Sequence, residues 1–265
     1  MFPWEFSAAI KNAPICYIPL GVLEWHGEHN ALGLDAIKAH TICVKAAQSS
    51  GGIVLPVLYW ATDTMEEIEE GNYLVGGIES GERYHVPGNM FYLKPETFYL
   101  LLLDIFIAAE RRGFKVIMVI TGHWSSTGNL PIIQASGKEF LSKYPLMKWM
   151  LLTDQELVPD LHYPWEHAAG GETSILMAIR PDLVDLSKTL ETDTVLQEYY
   201  KGQPAHLQRR RNTKNKYIGV LTGTDDDTND PELTSSMERG QILLEAISNR
   251  VANRAIGLLG EIVKK

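Results

Sequence analysis

The sequence predicts an α/β fold, with a mainly parallel central sheet and helices on both faces. Three observations predict it. Short apolar runs of strand length recur along the 265 residues, at Ile15–Leu20, Gly51–Leu58, Lys115–Ile120 and Met147–Leu152. Each run leads through a loop into a segment with helical spacing, and such strand–loop–helix units build parallel sheets. Side chains able to bind a metal or move a proton gather after the runs, at the edge where an open α/β sheet forms its site.

Each element has its own signal. Ile15–Leu20 is an unbroken apolar run and reads as a buried strand. Asp35 to Ser49 has helical spacing through Ile37, Ile42, Val44 and Ala46, and the glycines that follow stop it before the second run at Gly51–Leu58. Ala61 to Leu93 is polar, rich in glycine and acids, and longer than a simple connection, so it reads as an active-site or subunit-contact loop. Pro95 to Arg112 opens with Pro-Glu-Thr and closes on two arginines before Gly113, a helix start and stop with cations in the last turn. The Lys115 strand ends in the turn Thr121 to Thr127. Helix from about Asn129 to Tyr144, strand from Met147 to Leu152, and helix from Gly170 to Ile179 follow. A last helix runs from about Leu233 to Val263 and carries a possible break. There is no internal repeat and no linker, so residues 1–265 read as a single domain.

Composition narrows the partners. A formal charge of −9 argues against nucleic acid or an anionic membrane. The basic cluster Arg209–Arg211 with Lys214 and Lys216 reads as a solvated loop. No apolar run reaches the roughly 20 residues of a membrane span, and Met1-Phe-Pro-Trp-Glu lacks the order of a signal peptide. The two cysteines, Cys16 and Cys43, fall on a core strand and an apolar helix face, as small buried hydrophobes of a reducing compartment do. The expectation is a cytoplasmic protein acting on a small molecule.

The densest chemistry lies between Gly21 and Asp35, where Glu24, His26, Glu28, His29 and Asp35 fall within twelve residues. Imidazole beside carboxylate suits a divalent first-row metal, and Asp35 is placed to approach a second ion. His123 follows the Lys115 strand, and Glu166, His167 and Glu172 follow the Met147 strand, so a parallel sheet brings all of them to one edge. Plainer roles stand beside these. Glu28 and His29 could be solvated, Asp35 could cap a helix, His123 could serve its turn, and Glu172 could complement a helix dipole.

The segment Gly21-Val-Leu-Glu24-Trp-His26-Gly-Glu-His29-Asn-Ala-Leu-Gly-Leu-Asp35 resembles the signature of the creatininase (creatinine amidohydrolase) family, roughly Gly-Ser-x-Glu-Gln-His-Gly-Pro-His-Leu-Pro-Leu-Gly-Thr-Asp. Gly113-Phe through Thr121-Gly-His123 is similar to the family's strand ending in Asn-Gly-His. Glu166-His167-Ala168 with Glu172-Thr-Ser174 resembles its His-Ala-Gly-x-x-Glu-Thr-Ser. Val86-Pro-Gly-Asn89, Ile218 to Gly223, and Met237-Glu-Arg-Gly240 match further blocks in order.

The resemblance implies a three-layer α/β/α sandwich with a mainly parallel central sheet, assembled as a homohexamer. It implies two divalent metal ions (zinc, manganese or iron). Glu24 and His123 would hold one, His26 the other, Asp35 would bridge, and Glu172 would be a further ligand of the second. Glu166 and His167 match the pair that moves protons beside the scissile bond, with Glu166 orienting His167 or taking the proton from water. The implied reaction is hydrolysis by a hydroxide that the ions make available, opening a cyclic amide, a formamide or a cyclic ketone. Trp124, Ser125, Tyr163 and Trp165 are expected at the substrate pocket.

Departures from the pattern bear on the substrate. Creatininases proper carry Gly-His-Tyr-Glu, with a metal-binding glutamate, where this chain has Gly122-His123-Trp124-Ser125. Polar Glu28 and Asn30 replace prolyl and leucyl positions and favour a polyhydroxylated substrate. Two readings from other classes stay open at this point. One is a peptide-maturation or binding protein on the same fold with a weakened second metal site. The other is a metal-independent sugar-binding or isomerase-like α/β protein.

Overall fold

The computed structural model describes residues 1–63, 65–69, 72–75, 93–126, 128–163, 166–189 and 230–263. In chain order the strands are β1 (Ile15–Leu20), β2 (Ile53–Val54), β3 (Met65–Glu69), β4 (Asn72–Val75), β5 (Val116–Thr121) and β6 (Lys148–Thr153). The helices are α1 (Pro3–Asn12), α2 (Leu34–Ser50), α3 (Pro95–Arg111), α4 (Asn129–Lys143), α5 (Gly170–Ile179), the single turn α6 (Pro231–Thr234) and α7 (Met237–Val263). Four strands form one parallel sheet in the order β2-β1-β5-β6.

Every residue of β1 and β5 is buried, because helices cover both faces of the sheet. Alternation sorts their side chains. Ile15, Tyr17, Val116, Met118 and Ile120 pack with α2, α5 and α7, through Ile42, Cys43, Ile175, Leu244 and Ile247. Cys16, Ile18, Leu20, Ile117 and Val119 pack with α3 and α4, through Phe98, Leu102, Phe106, Ile133 and Phe140. The expected three-layer α/β/α sandwich is therefore present, and both cysteines are buried free thiols. Among the described residues no helix is long and apolar enough to cross a membrane.

The strand order places the site. From β1 the chain crosses through α2 to β2 on one side, then through α3 to β5 on the other. The reversal opens a crevice between the carboxyl ends of β1 and β5, the position where open α/β sheets bind ligands. Two glycines let α2 close on that crevice. A Cβ on Gly21 would lie 2.3 Å from the Ala36 nitrogen, and one on Gly122 would lie 2.2 Å from the Asp35 carbonyl oxygen. The start of α2 therefore sits directly against both strand ends.

Several elements differ from expectation. The strand predicted over Gly51–Leu58 pairs only at Ile53–Val54, with one bridge from Leu58 to Leu20, since Pro56 between them has no N–H to donate. The polar stretch from Ala61 contains an antiparallel hairpin, β3–β4. The break in the last helix is real and falls at Ser235–Ser236, where the Ser236 N–H donates to Ser174 Oγ. Helix α1, which the sequence reading did not mark, buries no residue fully, and Phe6, Ala9 and Ile10 on one face pack against the α3–α4 side of the core. Trp165, Val86–Asn89, Arg209–Lys216 and Ile218–Gly223 lie outside the described residues.

Candidate metal centre

Glu24 and His26 lie in the loop after β1, Asp35 in the first turn of α2, His123 in the turn after β5, and Glu172 in the first turn of α5. All five are buried and converge in one cluster. His26 Nε2 is 3.3 Å from Asp35 Oδ1, 3.8 Å from Glu172 Oε2 and 4.0 Å from Glu24 Oε2. His123 Nδ1 is 2.9 Å from Glu24 Oε2 and 3.5 Å from Asp35 Oδ2. Asp35 thus turns one oxygen to each imidazole. It does not cap its helix: Gly33 stands at the cap position, without a side-chain cap bond.

The donor set fits divalent cations. His26 Nδ1 lies 3.0 Å from the Glu24 carbonyl oxygen, a bond in which the ring N–H donates. In the neutral ring this leaves a lone pair on Nε2, facing three carboxylates. Among the described residues neither His26 Nε2 nor Asp35 Oδ2 finds a hydrogen-bond partner, although both are buried. Unpaired polar atoms among buried like charges are costly unless a cation joins them. Without one, the cluster draws protons instead. Burial pulls His26 down, but Asp35, Glu172 and Glu24 outweigh it and lift the imidazole to about 9. The groups Glu24–Asp63–His123, His26–Asp35–Glu172 and Glu24–His26–His167 each bring three ligand atoms within 4.8 Å of one another.

Glu172 is held from behind by residues that the sequence reading passed over. Lys38, one turn along α2 from Asp35, is 1% exposed. Its Nζ donates to Glu172 Oε1 at 2.7 Å and lies 2.8 Å from Asp154 Oδ2. Burial alone would push its pKa down, yet Asp154 and Glu172 hold it well above the usual lysine range. Tyr163 donates its hydroxyl to Asp154 Oδ2 at 2.7 Å, so it belongs to this buried network and not to the expected aromatic pocket lining. Asp63, in the connection after β2, is 3.1 Å from His123 Nε2. Asp63 and Asp154 both follow sheet strands, and the strand-end rule that selected His123 would have found them too.

The loop before α5 holds the two residues expected to move protons. His167 stacks on His26 with centroids 4.2 Å apart and donates from Nε2 to the Trp25 carbonyl at 2.8 Å. Its Nδ1 faces the cluster, 4.0 Å from Glu24 Oε2. Burial, then the neighbouring His26, lower its pKa. Glu166 does not orient His167 as expected: its Oε1 accepts the Glu172 N–H at 2.7 Å, and its buried Oε2 has no partner. Burial, then Glu172, push its carboxyl up to about 8.

His29 is buried, not solvated, and burial pulls its pKa to about 4. Its Nε2 lies 3.1 Å from the Ala168 carbonyl oxygen. Ala168 has φ +56°, a conformation that L residues rarely adopt, while its N–H donates to Glu172 Oε2 at 2.8 Å. The turn carrying His167 is therefore gripped at both peptide groups. Asn30 donates to Thr173 Oγ1 at 3.0 Å and Glu28 accepts the Trp25 indole N–H at 2.9 Å, so both make contacts within the protein. With these contacts, Glu28 and Asn30 do not point to a polyhydroxylated substrate. Ser125 Oγ accepts the Gly128 N–H at 3.0 Å, and its own N–H donates to Asn129 Oδ1 at 2.9 Å. Its hydroxyl thereby helps to begin α4. Trp124, next to His123, is partly exposed.

Known proteins resemble this chain along nearly its whole length. The family model Creatininase, described as creatinine amidohydrolase, matches residues 3–255. A creatinine amidohydrolase of Pseudomonas putida is 24% identical over 264 residues, covering 94% of this chain and 92% of that protein. Among solved structures, a creatininase with Mn superposes with a TM-score of 0.68 at 21% identity, covering 96% of this chain and 95% of the other. A mutant creatininase of Zn–Zn type gives 0.65 at 20% identity, covering 96% and 94%. With the family model matched over nearly the whole chain, this protein belongs to the creatininase family.

Proposed function

We propose that this chain is a binuclear metal-dependent hydrolase that opens a cyclic amide, a formamide or a cyclic ketone. The observation that carries the proposal is the buried lone pair of His26 Nε2, set among three carboxylates with no hydrogen-bond partner. Glu24, Asp35 and His123 would hold one ion, and His26, Asp35 and Glu172 the other. When bound, such ions lower the pKa of water and polarise a carbonyl oxygen. The Mn and Zn–Zn forms of structural relatives support that choice of metals.

The remaining chemistry belongs to the chain. With Nε2–H tied to the Trp25 carbonyl, His167 presents Nδ1 as a base on the cluster side. It takes the proton released as water attacks the carbonyl carbon and delivers it to the departing nitrogen or carbon. Burial, then Glu172, favours the protonated form of Glu166, which makes it a candidate proton donor beside Glu172. Buried Trp25 carries the carbonyl that orients His167 and excludes water on that side. Trp124 and Trp165 are proposed to contact the substrate. Assembly as a homohexamer is carried over from the family resemblance.

The test is metal content per chain, on protein purified without chelator, beside Asp35→Ala. About two ions per chain, falling sharply in the variant, is the expected result. Turnover is then sought on creatinine, a formamidopyrimidine and an inosose-type ketone. One ion per chain, with no turnover, would favour the peptide-maturation or binding reading, to which Ser125 in place of the glutamate points. No ion at all would overturn the hydrolase reading.

A further inference from the structure

Ser125 stands where the creatininase pattern carries a glutamate, and its hydroxyl, which brings no charge, accepts the Gly128 N–H. The surroundings of His123 are nevertheless not short of negative charge. Asp63, 2% exposed, reaches the opposite side of the ring, with Oδ2 3.1 Å from Nε2. The other nitrogen, Nδ1, faces Glu24 Oε2 at 2.9 Å and Asp35 Oδ2 at 3.5 Å. A neutral imidazole carries one proton, and the nitrogen that lacks it is the one able to bind a metal. With a cation beside Glu24 and Asp35, Nδ1 would be the ligand atom and the proton would reside on Nε2, where Asp63 would accept it.

We propose that Asp63 is a positioning carboxylate of the metal centre, holding His123 with Nδ1 toward the ion and supplying, through the ring, negative charge that Ser125 does not bring. The proposal rests on the metal-dependent reading above. Two further features agree with it. The backbone of His123 is already fixed, since its carbonyl accepts from Thr121 Oγ1 at 2.6 Å and from Asn129 Nδ2 at 3.0 Å. What remains to be set is the rotation of the ring and its tautomer, and a carboxylate on Nε2 sets both. In addition, a Cβ on Gly128 would lie 2.5 Å from Asp63 Oδ1 and 2.6 Å from its Cα. The turn after β5 carries a glycine where Asp63 passes.

The experiment titrates Co(II) into metal-stripped full-length chain, comparing wild type with Asp63→Asn and Asp63→Ala. Affinity is read by chelator competition, the ligand field by visible absorption, and the fold by circular dichroism. Asp63→Ala is expected to bind one of two ions about 10–100-fold more weakly, with a shifted absorption band. Asp63→Asn still accepts the Nε2 proton but lacks the charge, so its affinity should fall between the two. If the alanine variant does not fold, the isosteric asparagine variant decides. Affinities within about threefold of wild type for both ions, in a folded variant, would overturn the proposal. Complete loss of one ion from both variants would make Asp63 a direct ligand and overturn the positioning role. Wild type that binds no ion would instead sink the metal-dependent reading itself.

Discussion

Lys38 is fully buried and lies between Glu172 and Asp154, within reach of Tyr163. Removing one partner of a buried ion pair leaves the others uncompensated, which costs about 3–5 kcal/mol. Lys38→Met should therefore lower stability by that amount in urea titrations. Lys38→Met combined with Asp154→Asn should recover part of it, because one stranded charge is gone. A single variant as stable as wild type would show that solvent reaches this network. Glu166→Gln tests the proton in the same region. Its amide oxygen can still accept the Glu172 N–H, so the fold should hold while turnover falls by less than the roughly 10²–10⁴-fold expected on removing the base His167. Sequence pointed to Glu24, His26, Asp35, His123 and Glu172 because each follows a strand or opens a helix beside one. It passed over Lys38 because a lysine within a helix looks solvated. Only the packing of α5 and the 154–163 connection against α2 makes that position an interior one.

At the scale of elements, the site depends on how closely α2 approaches the ends of β1 and β5. Gly122→Ala would drive a methyl into the Asp35 carbonyl, which lies 2.2 Å from the ideal Cβ position, and neither backbone can yield without moving a strand or a helix. The expected result is lost metal content together with lower thermal stability. Gly257, within α7, is the control. Among the described residues nothing outside its own helix lies within 4 Å of a Cβ there, so Gly257→Ala should raise stability by roughly 0.5–1 kcal/mol with metal content unchanged. If both alanines behave alike, the close approach of α2 is not what organises the centre. The strands and long helices were legible because their burial is uniform or one-sided. β5 is apolar almost throughout, and α3 presents Phe98, Leu102 and Phe106 on one face. Less was legible where local pattern and tertiary pairing part company. β2 is cut to two residues by Pro56, the β3–β4 hairpin pairs polar sequence, and α1 buries no residue fully.

Across the whole molecule, the proposed ion ligands come from segments that are distant in sequence: the loop after β1, α2, the turn after β5, and α5. In the unfolded chain they form no site, so any ion bound here stabilises only the native state. The gain is RT ln(1 + [L]/Kd), about 4 kcal/mol when free metal stands at 1,000 times Kd. Without ions, Glu24, Asp35 and Glu172 share their buried space with the His26 imidazole, which draws a proton to offset only part of their charge. Exhaustive chelation should therefore lower the melting temperature by several degrees, and restoring Zn or Mn should return it. Asp35→Ala supplies the discriminating comparison, since it removes the carboxylate that faces both imidazoles. Its melting temperature should lie below that of the metal-loaded wild type and respond weakly to chelator. A wild type whose melting is indifferent to chelator, although it holds two ions per chain, would place those ions elsewhere on the protein. A chelator response equally large in Asp35→Ala would lead to the same conclusion. The melting curve thus locates the metal within the fold without any knowledge of the substrate.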